Sequence, residues 1–175
     1  MSNSQNITEK LFQAHKKEYG EKYPDHLIEQ YKVYLEMADR ISSRRQAANS
    51  FFLTLNTAIV VFVSYVNFGE AQAGAFYWLI SIAGMTISFM WYRLIRSYKD
   101  LNSAKFKVVH EIESKLPISP YDAEWEAVGR GDNSNLYLPF THIEIYIPWV
   151  FFIIHTFVFL KCMSLTKLAR LLCNQ

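Results

Sequence analysis

His142, Glu144 and His155 share one apolar segment, 138–160. A His-x-Glu pair with a second histidine is a donor set that could hold a metal ion. Residues two apart on a helix do not face each other, however, so the pair does not converge and one side of the site is missing. A structural ion pair or an interfacial hydrogen bond suits these residues better. Ionisable groups inside a membrane are functional candidates in their own right, which singles out Glu144 and His155. Asp122, Glu124, Glu126 and Asp132 crowd the acidic segment 117–137 beside Trp125. Paired carboxylates can do acid–base work, but no nucleophile, phosphate loop or metal-ligand spacing accompanies them. A solvated face balancing nearby Lys and Arg accounts for them. Cys162 and Cys173 lack metal-site spacing and read as small apolar fillers or lipid-facing residues. The sequence carries no Ser/His/Asp constellation, nucleotide loop or Cys/His cluster, so no catalytic residue, metal or cofactor is expected and the chain reads as a non-enzyme.

Another set of polar and small residues interrupts otherwise apolar stretches. Asn49 and Asn56 are seven apart, two turns on one helical face, and Ser64 roughly continues it. Ser81, Gly84 and Ser88 form a small-residue stripe. Small residues let helices approach closely, and buried Asn or Ser makes interhelical hydrogen bonds. The alternative is a polar pore lining in an oligomeric ring. In either role Asn56 needs a partner, because hydrocarbon offers its amide none.

The elements that must position these residues are membrane helices. Stretches 51–68 and 75–95 are separated only by Gly69-Glu70-Ala71-Gln72-Ala73-Gly74, which permits nothing but an antiparallel turn. Each approaches the ~20 residues that cross ~30 Å of hydrocarbon. Mean hydropathy of +0.01 and 19% charged residues look soluble only because the average hides segregation. Charge concentrates in 1–50 and 93–136. The net charge of +2, without a basic block, argues against nucleic acid. The 16% aromatic content suits membrane interfaces.

The start of the chain shows no apolar signal-peptide core, so the first span is expected to direct insertion. A short helix is expected around 8–17. Pro24-Asp25 reads as a helix start. Leu27, Tyr31, Tyr34, Ala38, Ile41 and Ala48 then share one face, with Arg45 in the missing place of that series. One helix over 25–67 is expected to begin in water and enter the membrane. A second, over 75–116, reverses the path and carries Leu94, Tyr98, Leu101, Val108, Ile112 and Leu116 as its stripe. These stripes suit either an intrasubunit core or an intersubunit bundle. Segment 117–137 reads as a loop with one helical turn at 121–128, long enough to suggest function or an unknown protein partner. In the third segment, Pro148 would kink the helix or mark its start, and a kinked spanning helix from Pro139 is expected. A start near Pro148 would leave too few residues before Lys161. The fold class is thus an all-α membrane protein: a long hairpin extending from the membrane into the cytosol, plus a third, Pro-kinked membrane helix. Its regions are 1–50, a cytosolic N-terminal helix; 51–95, the transmembrane hairpin; 96–137, a cytosolic helix and acidic loop; 138–162, the third membrane helix; and 163–175, an amphipathic tail.

Arg40, Arg44 and Arg45 precede the first span, and Arg93, Arg96 and Lys99 follow the second. The turn between them holds no Lys or Arg, so the N-terminus and 96–137 are expected in the cytoplasm. A third crossing would place Lys161, Lys167 and Arg170 outside, whereas a re-entrant segment would keep them inside. The side of the C-terminus stays open.

Three blocks, ADRISSRRQAANSFFLTLNTAIV, WYRLIRSYKDLNSAKFKVVHEIESKLPISPYDAEWE and YLPFTHIEIYIPWVFF, resemble the RipA-like family of small octameric bacterial inner-membrane proteins, named for a requirement in intracellular proliferation. The resemblance runs from about residue 31 to 152. It implies a homo-octamer in the cytoplasmic membrane, surrounded by lipid, and carries over no functional residues. A weaker likeness is to two-span membrane effectors of bacterial anti-phage systems. The expected function is a non-catalytic, ring-shaped scaffold or an envelope, stress or virulence-associated factor. The alternative is a channel or pore-forming effector.

Overall fold

The computed structural model describes residues 2–65, 73–132, 136–137 and 139–173. Most of the tight turn expected at 69–74 lies outside them, as do residues 66–67 of the first long helix. The side chains of Lys167, Arg170 and Cys173, and with them the amphipathic tail, are likewise outside the described set. All elements among the described residues are helical. Helices α1 (Ser2–Leu11) and α2 (Lys16–Tyr19) are short; α3 (Tyr23–Tyr65) and α4 (Ala73–Glu113) are long; α5 (Pro120–Ala127), α6 (Phe140–Glu144) and α7 (Ile147–Cys173) follow. Among the described residues, three helical stretches are long and apolar enough to cross a membrane: Tyr23–Tyr65, Phe76–Glu113 and His142–Met163.

The chain forms two compact units, and α3 and α4 each contribute to both. The first unit comprises Met1–Arg44 and Tyr98–Pro139. Here α3 begins at Tyr23 with Pro24 in its first turn, where a missing N–H costs nothing. Leu27, Tyr31, Tyr34, Ala38 and Ile41 are half-buried, and Val109 and Ile112 of α4 are buried. Leu101, counted in the second stripe, is instead exposed. Contacts from Tyr34 to Lys105 and from Tyr31 to Glu113 show α3 and α4 antiparallel here.

Within segment 117–137 the described residues hold a helix in place of the single helical turn expected at 121–128. Its helix α5 spans eight residues with Pro120 at the start. A left-handed turn follows, with φ +66°, +53° and +79° at Gly129, Arg130 and Gly131. Arg130 secures it by bonding Glu126 at 2.6 Å and Asp122 at 3.4 Å. Trp125 packs against Gly131, where a side chain would crowd its ring.

The second unit, Arg45–Ser97 with Phe140–Gln175, is a three-helix arrangement. Asn49 meets Trp91, Asn56 meets Ser88, and Phe62 meets Phe76, so α3 and α4 are antiparallel here too. Helix α7 returns against α4 through Trp149–Tyr92, Phe151–Trp91 and Thr156–Met85. Val63, Tyr77 and Cys162 form a buried cluster with Ile59, Ile80 and Val158, giving Cys162 a core position. The third segment is helical on both sides of a turn at residues 145–146. Pro148 offers no N–H and its ring would meet the carbonyl of residue 144, so the helix breaks at 145–146 and restarts with Pro148 in its first turn. The restart does not shorten the span, because α7 runs 27 residues, straight past Lys161.

Candidate functional site

The polar residues of the second unit form two hydrogen-bonded groups on one stripe of α3. In the first, Glu144 at the end of α6 receives Arg45 Nη2 at 2.6 Å and Asn49 Nδ2 at 3.0 Å. The Trp91 indole N–H donates to Asn49 Oδ1 at 2.9 Å. The carboxylate therefore uses both oxygens, and the amide uses both ends. The Arg45 and Glu144 side chains are only 18% and 11% exposed. A pair so shielded feels its attraction more strongly than a surface pair does, and each partner depends on the other.

The second group centres on Asn56, which is 0% exposed. Its Nδ2 donates to the Phe52 carbonyl of its own helix at 2.9 Å. Its Oδ1 accepts from Ser88 Oγ at 2.9 Å and lies 3.2 Å from His155 Nε2, within reach of an Nε2–H. Gly84 makes this possible: a Cβ there would stand 2.5 Å from the His155 ring. Phe52 stacks on Trp91 between the two groups, with centroids 6.0 Å apart.

The other singled-out residues lie elsewhere. Ser81 is buried but donates to Tyr77 O of its own helix, and exposed Ser64 does the same to Val60 O. His142 is exposed and joins neither group, so His142, Glu144 and His155 do not converge. Among the described residues, no three His, Cys, Asp or Glu side chains are placed to hold a metal. Asp122 and Glu126 are engaged by Arg130, while Glu124 points to water.

Sequence reasoning missed Glu113 of the first unit. It is 1% exposed and accepts Tyr31 Oη at 2.7 Å and the backbone N–H groups of Tyr121 and Asp122 at 3.0 and 3.2 Å. It thereby caps α5, whose own Ser119 makes no side-chain cap. His110 Nδ1 lies 3.6 Å from this carboxylate and 3.9 Å from Asp122. Burial, then the Asp39, Glu124 and Glu113 charges, push the Tyr121 phenol above its ordinary range. Hydrogen bonding to Glu126 raises the Arg130 guanidinium further. Trp91 and Arg45 were also absent as partners. The spacing of Arg45, Asn49 and Asn56 and the lone carboxylate of 138–160 were the available signals.

Apolar spans with internally paired polar groups define an integral membrane protein. The chain matches the octameric membrane protein family (8xMP) over residues 28–164, and it belongs to that family. It is accordingly a homo-oligomeric membrane protein. Neither a curated protein nor a solved structure matches it.

Proposed function

We propose that this chain is a non-catalytic subunit of a ring-shaped scaffold in the bacterial cytoplasmic membrane, serving envelope integrity or stress and virulence responses. One observation carries the reading: the shielded polar side chains of the two groups in the second unit are bonded within one subunit. Arg45 is held by Glu144, Asn49 by Glu144 and Trp91, and Asn56 by Ser88 and His155. A pore lining would need such groups to face water, whereas Asn56 is fully buried. Subunits then meet one another and lipid through apolar surface, as a packing assembly requires. The arginines flanking the hairpin support a cytoplasmic N-terminus and a cytoplasmic 96–137 region.

Planar-bilayer recording of the purified oligomer tests this reading. A scaffold leaves the bilayer electrically silent across pH and voltage. Unitary conductance that disappears in Asn56→Leu would replace it with the pore alternative.

A further inference from the structure

The third segment keeps pace with α3 from one end of the second unit to the other. Glu144 bonds Arg45, and His155 lies against Asn56, both across a separation of 99 residues. Cys162 shares a buried cluster with Val63, at the same offset, and with Tyr77. A constant offset means parallel helices in fixed register, each turn of α7 level with the corresponding turn of α3. Against α4 the order is reversed, from Trp149–Tyr92 through Thr156–Met85 to Cys162 and Tyr77. Tyr77 stands two residues inside the apolar stretch that opens at Ala75. The buried contacts of α7 thus reach the end of the hairpin next to residues 69–74, and the helix continues to Cys173. Its 27 residues cover about 40 Å, more than the ~30 Å of hydrocarbon.

The opposite end of the segment is held at a definite depth. Glu144 is gripped by Arg45 and Asn49, which precede the apolar stretch at Phe51 by six and two residues. At ~1.5 Å per residue they stand about 9 and 3 Å outside the edge of the hydrocarbon, across a headgroup layer roughly 5–8 Å deep. On α4 the same level carries Trp91, bonded to Asn49, with exposed Arg93 just beyond it. Held there by Glu144, the 140–146 stretch turns Phe140, Ile143 and Tyr146 outward at 66%, 50% and 69% exposure. Trp149 follows, with its ring edge-on to Tyr92. Tyrosine and tryptophan beside apolar side chains suit the headgroup boundary, where the ring body meets acyl chain and its polar edge meets water.

We propose that Phe140, Ile143 and Tyr146 form an interfacial anchor seated among the lipid headgroups of the leaflet that holds Arg45, and that α7 crosses from there to the opposite face. The C-terminal end then lies on the side of residues 69–74, although Lys161, Lys167 and Arg170 by themselves favour the arginine-rich side. That charge bias acts chiefly through the first span, which Arg40, Arg44 and Arg45 already orient.

Two measurements on the full-length protein test the proposal. For the crossing, Cys162→Ala leaves Cys173 as the only thiol, and a second chain carries Gln46→Cys with Cys162→Ala and Cys173→Ser. In right-side-out and inverted membrane vesicles, a membrane-impermeant maleimide is expected to label the two thiols from opposite sides. Labelling of both from the same side would overturn the crossing in favour of a re-entrant segment. For the anchor, nitroxides on Ile143→Cys and Tyr146→Cys, in the Cys162→Ala and Cys173→Ser background, are read by oxygen and nickel relaxation in lipid nanodiscs. The expected oxygen-to-nickel ratio lies between that of Glu124→Cys, in water, and that of Phe157→Cys, within the span. A ratio as low as at Glu124→Cys would overturn the anchor, as would shielding from both reagents, the mark of a contact with a second subunit.

Discussion

Gly84→Ala probes the membrane unit at its tightest point. The added Cβ would stand 2.5–2.6 Å from three His155 ring atoms, against ~3.5–4.0 Å for ordinary contact. The ring must therefore retreat by about 1 Å. That retreat displaces the His155 nitrogen now 3.2 Å from Asn56 Oδ1. Overpacking of this kind costs about 1–3 kcal/mol, and a membrane hydrogen bond adds ~0.6 kcal/mol. Alanine recovers up to ~1 kcal/mol through helix propensity. The net expectation is a loss of about 0.6–2.6 kcal/mol, measured by steric-trap unfolding in bicelles. Adding His155→Ala to Gly84→Ala should remove the steric part, so the double variant falls well short of the sum of the singles. A neutral or stabilised Gly84→Ala, or strictly additive losses, would refute the seating of His155 on Gly84.

Arg45→Ala is expected to cost about 3 kcal/mol, the low end for stranding one member of a shielded ion pair; denaturant titration should show Arg45→Leu with Glu144→Leu losing less than either single change. Asn56→Leu removes the acceptor of Ser88 and His155 and should cost about 1–2 kcal/mol in the same assay, while native mass spectrometry shows the oligomer retained. Glu113→Gln weakens the cap on α5 by about 1 kcal/mol, read as faster amide exchange across 120–127. The raised Tyr121 phenol contributes stability that is fully present below the ordinary phenol value of about 10. That stability is lost as pH rises through the higher folded value, so alkaline melts of Tyr121→Phe should fall less steeply than those of the natural chain.

The long elements were legible because local pattern determines them. The Leu27–Tyr31–Tyr34–Ala38–Ile41 stripe, and the absence of Pro or Gly within it, mark α3 before any contact is known. Partners were less legible, because Arg45 and Glu144 are 99 residues apart and no periodicity links them. Segment 117–137 read as a loop with one helical turn because two prolines, two glycines and the Gly-Asp-Asn-Ser-Asn run punctuate it; the carboxylate that caps α5 comes from the preceding helix, a tertiary contact that local composition does not encode. In the third segment Pro148 marked the helix start, as one of the two readings held. Lys161 does not end the helix: α7 continues past it, with the ammonium over the Phe157 ring at 5.2 Å.

Native mass spectrometry of the full-length protein, released from lipid nanodiscs without prior detergent exposure, tests the central claim most directly. The account predicts one dominant species of eight 20.5 kDa chains, present in both the natural protein and Asn56→Leu. A monomer in the natural protein, or an assembly that Asn56→Leu dissolves, would contradict it.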